Sequence, residues 1–328
     1  MRHRSIAPEL MRVLAPGETI SGAALAARLG VTRAAIWKQV ATLRAAGLPI
    51  EASSGAGYRL PWPTQLLDRE RIVAAIADDD SPAAAAPVEL HWELDSTQDE
   101  LARRLGELPD LAVVLAEQQT LGRGRRGRGW HSPPGMGIAL SCLKRFGGSP
   151  AALSGLSIAM GVSVVQALAG LGVPDLCIKW PNDVVARGGK LAGVLIEISG
   201  EYDGPCIARV GVGVNVRLPA AVAASLDQPA TDLASLCGGE PPDRNRLAAR
   251  LIGHLRRGLL DFERTGLKPF AEAFAPLDAL ADARLAVHGV QDIREGVGRG
   301  IDERGALRVQ TERGVFALLS GEVSVRRR

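Results

Sequence analysis

The chain has 328 residues, 46% of them hydrophobic and 23% charged, with a mean hydropathy near zero. That is enough core for two or three globular domains, and it excludes a disordered or fibrous chain. The net charge of +3 is too small for the whole molecule to be an electrostatic nucleic-acid binder. Its distribution is uneven: residues 1–60 hold eight Lys or Arg against three acids, a local +5, so the other 268 residues carry −2. An anionic partner is therefore expected for the N-terminal part alone. Met1–Ala15 carries Arg and Glu and lacks the apolar centre of a signal peptide, so the expected compartment is the cytoplasm. Cys142, Cys177, Cys206 and Cys237 are far apart, with no CxxC pair. Buried free thiols are expected rather than a zinc site or a disulfide framework.

In chain order, Ser21 is placed to cap a helix over Gly22–Leu29, which Gly30 ends. Thr32 caps a second helix over Arg33–Ala46, stopped by Gly47. Two helices joined this tightly form a helix-turn-helix. The short strands expected at 48–52 and 57–60 would add a wing. A helical hairpin with no DNA role is the alternative; the wing and the local +5 weigh against it. Pro61-Trp62-Pro63 breaks the pattern, a short helix follows over Asp68–Ile76, and residues 78–87 read as a linker.

An α/β body follows. Strands are expected at 88–93, 112–117, 137–143, 177–180, 191–198 and 207–216, and helices at 98–105, 154–170 and 244–264. No charge occurs from Phe146 to Pro174, a length able to span a bilayer. Seven Gly or Ser after Pro150, with Gln166 near the middle, favour a buried core helix instead. After Pro276 come short strands with glycine turns (284–288, 296–301, 307–310, 315–318, 322–326), the pattern of a small barrel.

Four stretches carry chemistry. Gly122-Arg123-Gly124-Arg125-Arg126-Gly127-Arg128-Gly129-Trp130 has four arginines and no acid. Guanidinium forks suit carboxylate and phosphate oxygens, and glycines let the backbone approach a ligand. A solvated basic turn or an RGG-like tail is the alternative. Lys179-Trp180-Pro181-Asn182-Asp183 and Gly189-Lys190-Leu191-Ala192-Gly193 read as a hairpin that brings Asp183 and Lys190 together at its mouth; an ordinary charged hairpin has the same pattern. Asp95-Ser96-Thr97-Gln98 opens a helix after a strand, as a plain cap also would. Gly211-Val212-Gly213-Val214-Asn215-Val216 is not GxGxxG, and GxxxxGK[ST] is absent, so neither a Rossmann site nor a P-loop is supported.

Taken together and in chain order, these stretches resemble the biotin–protein ligases. The N-terminal unit, with Thr32-Arg33-Ala34-Ala35-Ile36 and Gly57-Tyr58, is similar to the bifunctional ligase and biotin-operon repressor form. Gly300-Ile301-Asp302 and Gly305-Ala306-Leu307 resemble its SH3-like C-terminal domain. The resemblance implies an α+β core of the class II synthetase-like type between a winged helix-turn-helix and an SH3-like β-barrel. The corresponding divisions are 1–64, 65–87 (connecting helix and linker), 88–275 and 276–328.

It also implies a two-step reaction, in which biotin and MgATP give biotinyl-5′-AMP and the biotinyl group then passes to a lysine of biotin carboxyl carrier protein. The family pattern places biotin against Ser96, Thr97, Gln119, Arg123, Gly124 and Arg125, with Lys190 at the carboxylate and phosphate. Gln98, Arg126, Arg128, Lys179, Asn182 and Gly193 complete the cofactor set, and Trp130 and Asn215 lie near the adenylate. Lys190, Arg125 and Asp183 are the catalytic candidates, and Asp183 is also the candidate ligand for Mg²⁺. Gln98 stands where Asn is more usual in the family. For DNA, the implied residues are Ser21, Thr32, Arg33, Lys38 and Arg59, acting in a homodimer that the intermediate promotes on operator DNA. Three competing readings are a biotin-sensing regulator without ligase activity, a ligase whose DNA module is vestigial, and a lipoate–protein ligase. No membrane partner is expected.

Overall fold

A computed structural model describes residues 6–53, 55–77, 86–288, 293–319 and 324–327. Most of the expected 78–87 linker, the wing residue Ser54 and the start of the last expected strand lie outside them. The N-terminal unit contains a helix that the sequence reading did not assign, α1 (Ala7–Leu14), which buries Leu10, Met11 and Leu14. Next come α2 (Gly22–Leu29) and α3 (Arg33–Ala45), capped as expected: Ser21 Oγ accepts from Ala24 N at 3.1 Å and Thr32 Oγ1 from Ala35 N at 3.2 Å. Gly30 ends α2 with a φ of +65°, a conformation that favours glycine. Leu25, Ile36, Val40 and Leu43 face α1 and form this unit's own core. The wing strands are β1 (Glu51–Ser53) and β2 (Gly57–Arg59), shorter than expected because Leu48 and Ile50 are core pegs rather than strand residues.

After α4 (Arg69–Ala77) come β3 (Val88–Leu94), α5 (Thr97–Arg103), β4 (Val113–Gln119), β5 (Gly137–Phe146), α6 (Leu156–Ala169), β6 (Leu176–Lys179), β7 (Asp183–Ala186), β8 (Gly189–Gly200), β9 (Cys206–Asn215), α7 (Ala220–Ala224), α8 (Leu233–Leu236), α9 (Arg244–Thr265) and α10 (Lys268–Phe274). Among the described residues the strands β3 to β9 form a seven-stranded sheet in the order β3-β4-β5-β9-β8-β7-β6. Only β3 and β4 run parallel; the other neighbours are antiparallel, so the body is α+β. One face is apolar: Val210, Val212 and Val214 of β9 alternate toward a core shared with α6 and α9.

The charge-free 150–169 stretch is long and apolar enough for a bilayer, yet Leu153, Leu156, Met160, Val164 and Leu168 are all buried in this core. The hairpin expected over 179–193 contains an extra strand. β7 pairs with both β6 and β8, so two tight turns replace one.

The C-terminal strands are β10 (Arg284–His288), β11 (Ile293–Ile301), β12 (Leu307–Thr311), β13 (Gly314–Leu318) and β14 (Ser324–Arg327). They form a five-stranded antiparallel sheet in the order β13-β12-β11-β10-β14. Leu285, Val287, Leu307 and Val309 join the central core, and Trp180 Nε1 donates to Gly305 O at 2.9 Å. The unit is welded to the body rather than tethered to it.

Candidate active site

On the sheet face away from α6 and α9, small residues of β5, β8 and β9 leave an open patch beside α5. Register aligns Ser141 with Gly211 and Ala139 with Gly213 across β5 and β9, and Gly193 with Gly213 across β8 and β9. The GxGxN stretch is thus a strand whose glycines share the open face, not a phosphate loop. A Cβ at Gly213 would collide with the Trp130 ring, and one at Gly193 would come 3.2 Å from Lys190 Nζ. Small residues here let the arginine loop and the lysine lie against the sheet. The result is a cavity of about 310 Å³ lined by every catalytic and cofactor candidate named from the sequence, a volume within the usual range for a small-molecule site.

At one end α5 begins. Ser96 is its N-cap, with Oγ accepting from Gln98 N at 3.2 Å, and Thr97 Oγ1 meets Gln119 Oε1 at 3.1 Å and Ser141 Oγ at 2.8 Å. Ser141, on the floor of β5, had no sequence signal; only strand register brings it to Thr97. Gln98 is 3% exposed, and its Nε2 donates to Leu195 O and Arg209 O. It staples β8 to β9 beneath the cavity.

Asp95 anchors this corner. Arg103 grips its carboxylate at 2.7 and 2.9 Å, and Ser96 N donates at 2.7 Å. The Arg103 contact foremost, then the backbone donor, holds the Asp95 carboxyl at about 2, below the usual 3.8. A depressed carboxyl stabilises the fold above its unfolded value and loses that contribution as pH falls from about 3.8 toward about 2. Asp95→Asn should therefore flatten the acid limb of urea-unfolding stability in that window. At neutral pH the loss should be small, below about 1 kcal/mol, because the pair is solvent-exposed.

The arginine loop is a compact hairpin: Trp130 N donates to Gly122 O at 2.8 Å and Gly124 N to Arg128 O at 2.7 Å, with Arg126 held at a φ of +59°. Its arginines differ in state. Arg123 lines the cavity and reaches Asp99 at 2.7 Å and Glu197 at 3.1 Å, so its guanidinium is engaged by two carboxylates at the rim. Arg125 points inward, with Nη1 on Asn182 Oδ1 at 3.1 Å. Burial, then the neighbouring Arg126, pulls Arg125 below the ordinary arginine value, with Asp183 opposing. An incompletely balanced cation facing a cavity is what an anionic substrate needs. Arg126 and Arg128 are exposed on the loop, with no carboxylate partner among the described residues.

Lys190 and Asp183 meet as expected, Nζ to Oδ1 at 2.8 Å, with side chains 20% and 18% exposed. Lys190 Nζ also lies 5.6 Å from the Trp130 ring centre. Its backbone is clamped by Pro229 O, Thr231 N and Asn215 Nδ2. Asn215 therefore fixes Lys190 through the main chain, its Nδ2 also donating to Thr231 O. Asn182 bonds Val194 O, and Lys179 lines the cavity. Asp183, the candidate metal ligand, is engaged by Lys190, and the described residues hold no cluster of three or more His, Cys, Asp or Glu able to cage an ion. The sequence reading also missed the cavity's far wall, Leu218, Val222 and Leu226 with Asp227. Its side chains come from α7 and the turns flanking it, and Pro219 and Pro229 in this segment were the available signal.

In the N-terminal unit, Arg33 and Lys38 are exposed on α3. Ser21 and Thr32 use their hydroxyls as helix caps, and Arg59 is paired with Glu51 at 2.7 Å.

Residues 93–215 match the Biotin/lipoate A/B protein ligase family, and residues 9–59 match an HTH domain. The body is thus of the protein-ligase class, joined to a DNA-binding fold. A biotin protein ligase from Aquifex aeolicus, solved in complex with biotin and ATP, superposes with a TM-score of 0.62 at 29% identity, covering 74% of this chain and 99% of that one. Over 327 residues, 99% of either chain, the sequence is 38% identical to the bifunctional ligase/repressor BirA of Salmonella typhimurium and 36% identical to that of Escherichia coli. The chain belongs to this bifunctional ligase/repressor family.

Proposed function

We propose that the protein joins biotin to ATP, forming biotinyl-5′-AMP and pyrophosphate, and then transfers biotin to a lysine of biotin carboxyl carrier protein, releasing AMP. The observation that carries this reading is the single cavity that unites the Ser96–Thr97–Gln119 corner, the inward Arg125 and the clamped Lys190. Biotin's carboxylate is ionised near neutral pH, so the first step needs no strong base. It needs two anions held together and charge balanced as pyrophosphate leaves, which Arg125 and Lys190 supply. Ser96 and Thr97 face the ureido head, Trp130 covers the adenylate, and Asp183 keeps the Lys190 ammonium aimed into the cavity. Mg²⁺ would arrive on the triphosphate, whose oxygens would be its main ligands, and would neutralise phosphate charge there.

The same reading makes residues 1–64 an operator-binding module, residues 65–87 its connection, 88–275 the ligase and 276–328 the C-terminal β unit. The liganded protein acts as a homodimer that represses biotin-synthesis genes, with two modules on two half-sites. ATP, carrier protein and operator together assign it to the cytoplasm. The test is exchange of labelled pyrophosphate into ATP with Mg²⁺, comparing biotin, lipoate and octanoate. Exchange with biotin alone is expected; no exchange from folded protein would overturn the ligase assignment.

A further inference from the structure

The chain has five tryptophans. Trp180 is buried, and Trp62, Trp92 and Trp130 are half-buried. Trp37 is 67% exposed, on the outward face of α3. The first unit's core does not use it: Ile36, Val40 and Leu43 occupy the inward face. At about 100° per residue, Ala34 and Ala41 lie at the centre of the outward face, with Trp37 on one flank and Lys38 on the other. All four are exposed, as is Arg33, one turn before Trp37. From residue 19 to residue 50 there is no acid, while Arg28, Arg33, Lys38 and Arg44 are basic. Arg44 is held by its Nε bond to Ile50 O at 2.8 Å, at the far end of the helix.

A large aromatic ring left in water on a purely cationic face marks a contact surface. The charge selects a polyanion over a neutral or basic protein. The two alanines leave little bulk between helix axis and partner, so the helix can approach closely. The first turns of the second helix are those that enter the major groove in this fold. There, thymine is distinguished by its C5 methyl, which is read by apolar contact.

We infer that Trp37 is a base-reading residue: its ring packs on a thymine methyl in the major groove of duplex DNA, beside phosphate contacts from Arg33 and Lys38. This rests on the DNA-binding reading above and extends it from backbone affinity to sequence choice.

The test uses the full chain with biotin and ATP. A duplex is selected from a random-sequence library, and binding is followed by fluorescence anisotropy. Trp37→Ala should bind the selected duplex about tenfold more weakly, the scale of one lost base contact. Its pyrophosphate exchange should be unchanged, and its helical circular dichroism and thermal unfolding should match the parent's, which shows that both units are folded. Thymines in the duplex are then replaced singly by deoxyuridine, which removes only the methyl. One replacement should weaken the wild type about fourfold, the worth of one buried methyl group, and should leave Trp37→Ala unaffected. If Trp37→Ala binds as tightly as the wild type, or if the methyl effect persists in it, the base-reading role is overturned while DNA binding stands. If the wild type enriches no duplex, the DNA-binding reading fails and takes this one with it. If Trp37→Ala alters self-association in sedimentation but not duplex affinity, the occupant of this face is a second copy, and the inference is wrong.

Discussion

Lys190→Ala is expected to slow biotin-dependent pyrophosphate exchange by about 10²–10³-fold, the range for removing one preorganised charge that faces a developing negative charge. The lysine is the second residue of β8, where its carbonyl accepts from Thr231 N and Asn215 Nδ2 and its own N–H donates to Pro229 O. Its Cα therefore cannot drift, and Asp183 fixes the ammonium at 2.8 Å. Such a group requires no rearrangement as pyrophosphate departs. The side chain lies against Gly193 and the Trp130 ring, so the variant should lose some thermal stability yet still unfold in one cooperative transition. Transfer from preformed biotinyl-5′-AMP to carrier protein, measured separately, should fall less, because pyrophosphate has already left. Near-normal exchange would reduce Lys190 to a structural partner of Asp183. Lys190→Arg keeps the charge but not its geometry, and should recover only part of the rate.

What was legible in the sequence had local causes. Ser21, Gly30 and Thr32 act within three or four residues, so both helices of the N-terminal unit fall where their caps place them. The Asp183–Lys190 meeting was legible even though β7 was not, because either hairpin geometry returns the chain to the same mouth. What the sequence hid is long-range. Nothing near Ser141 announces Thr97, 44 positions away. Two of the loop's four arginines also have different states: Arg123 is occupied by Asp99 and Glu197, from two other elements, while Arg125 faces the cavity. Gln98 lines the cavity as expected, but its Nε2 bonds to carbonyls of β8 and β9, 97 and 111 positions away, had no local signal.

Glu117 is the clearest residue of this hidden kind, and its replacement is expected to have the largest effect on stability. It sits on β4 at 5% exposed, and its partner Arg244, at the start of α9, is 3% exposed; the two meet at 2.7 Å. The same carboxylate accepts from Gly135 N at 2.7 Å and Leu67 N at 2.8 Å. Arg244 in turn bonds the carbonyls of Gln65 and Gly137. One ion pair thus ties together the segment leaving the DNA-binding unit, the chain between the arginine loop and β5, and the longest helix. Glu117→Ala leaves a buried guanidinium uncompensated and two backbone donors unpaired, which should cost about 3–5 kcal/mol. In a chain of this size that lowers the thermal midpoint by on the order of 10 °C. Arg244→Ala should cost a similar amount, and the double variant little more than either alone, because the second deletion removes a charge already stranded. Additive losses, or a single loss under about 1 kcal/mol, would show the pair to be incidental. Trypsin cleavage at Arg69 and Arg71 should accelerate in parallel, since Leu67 N is one of the ties that hold the chain there to the body.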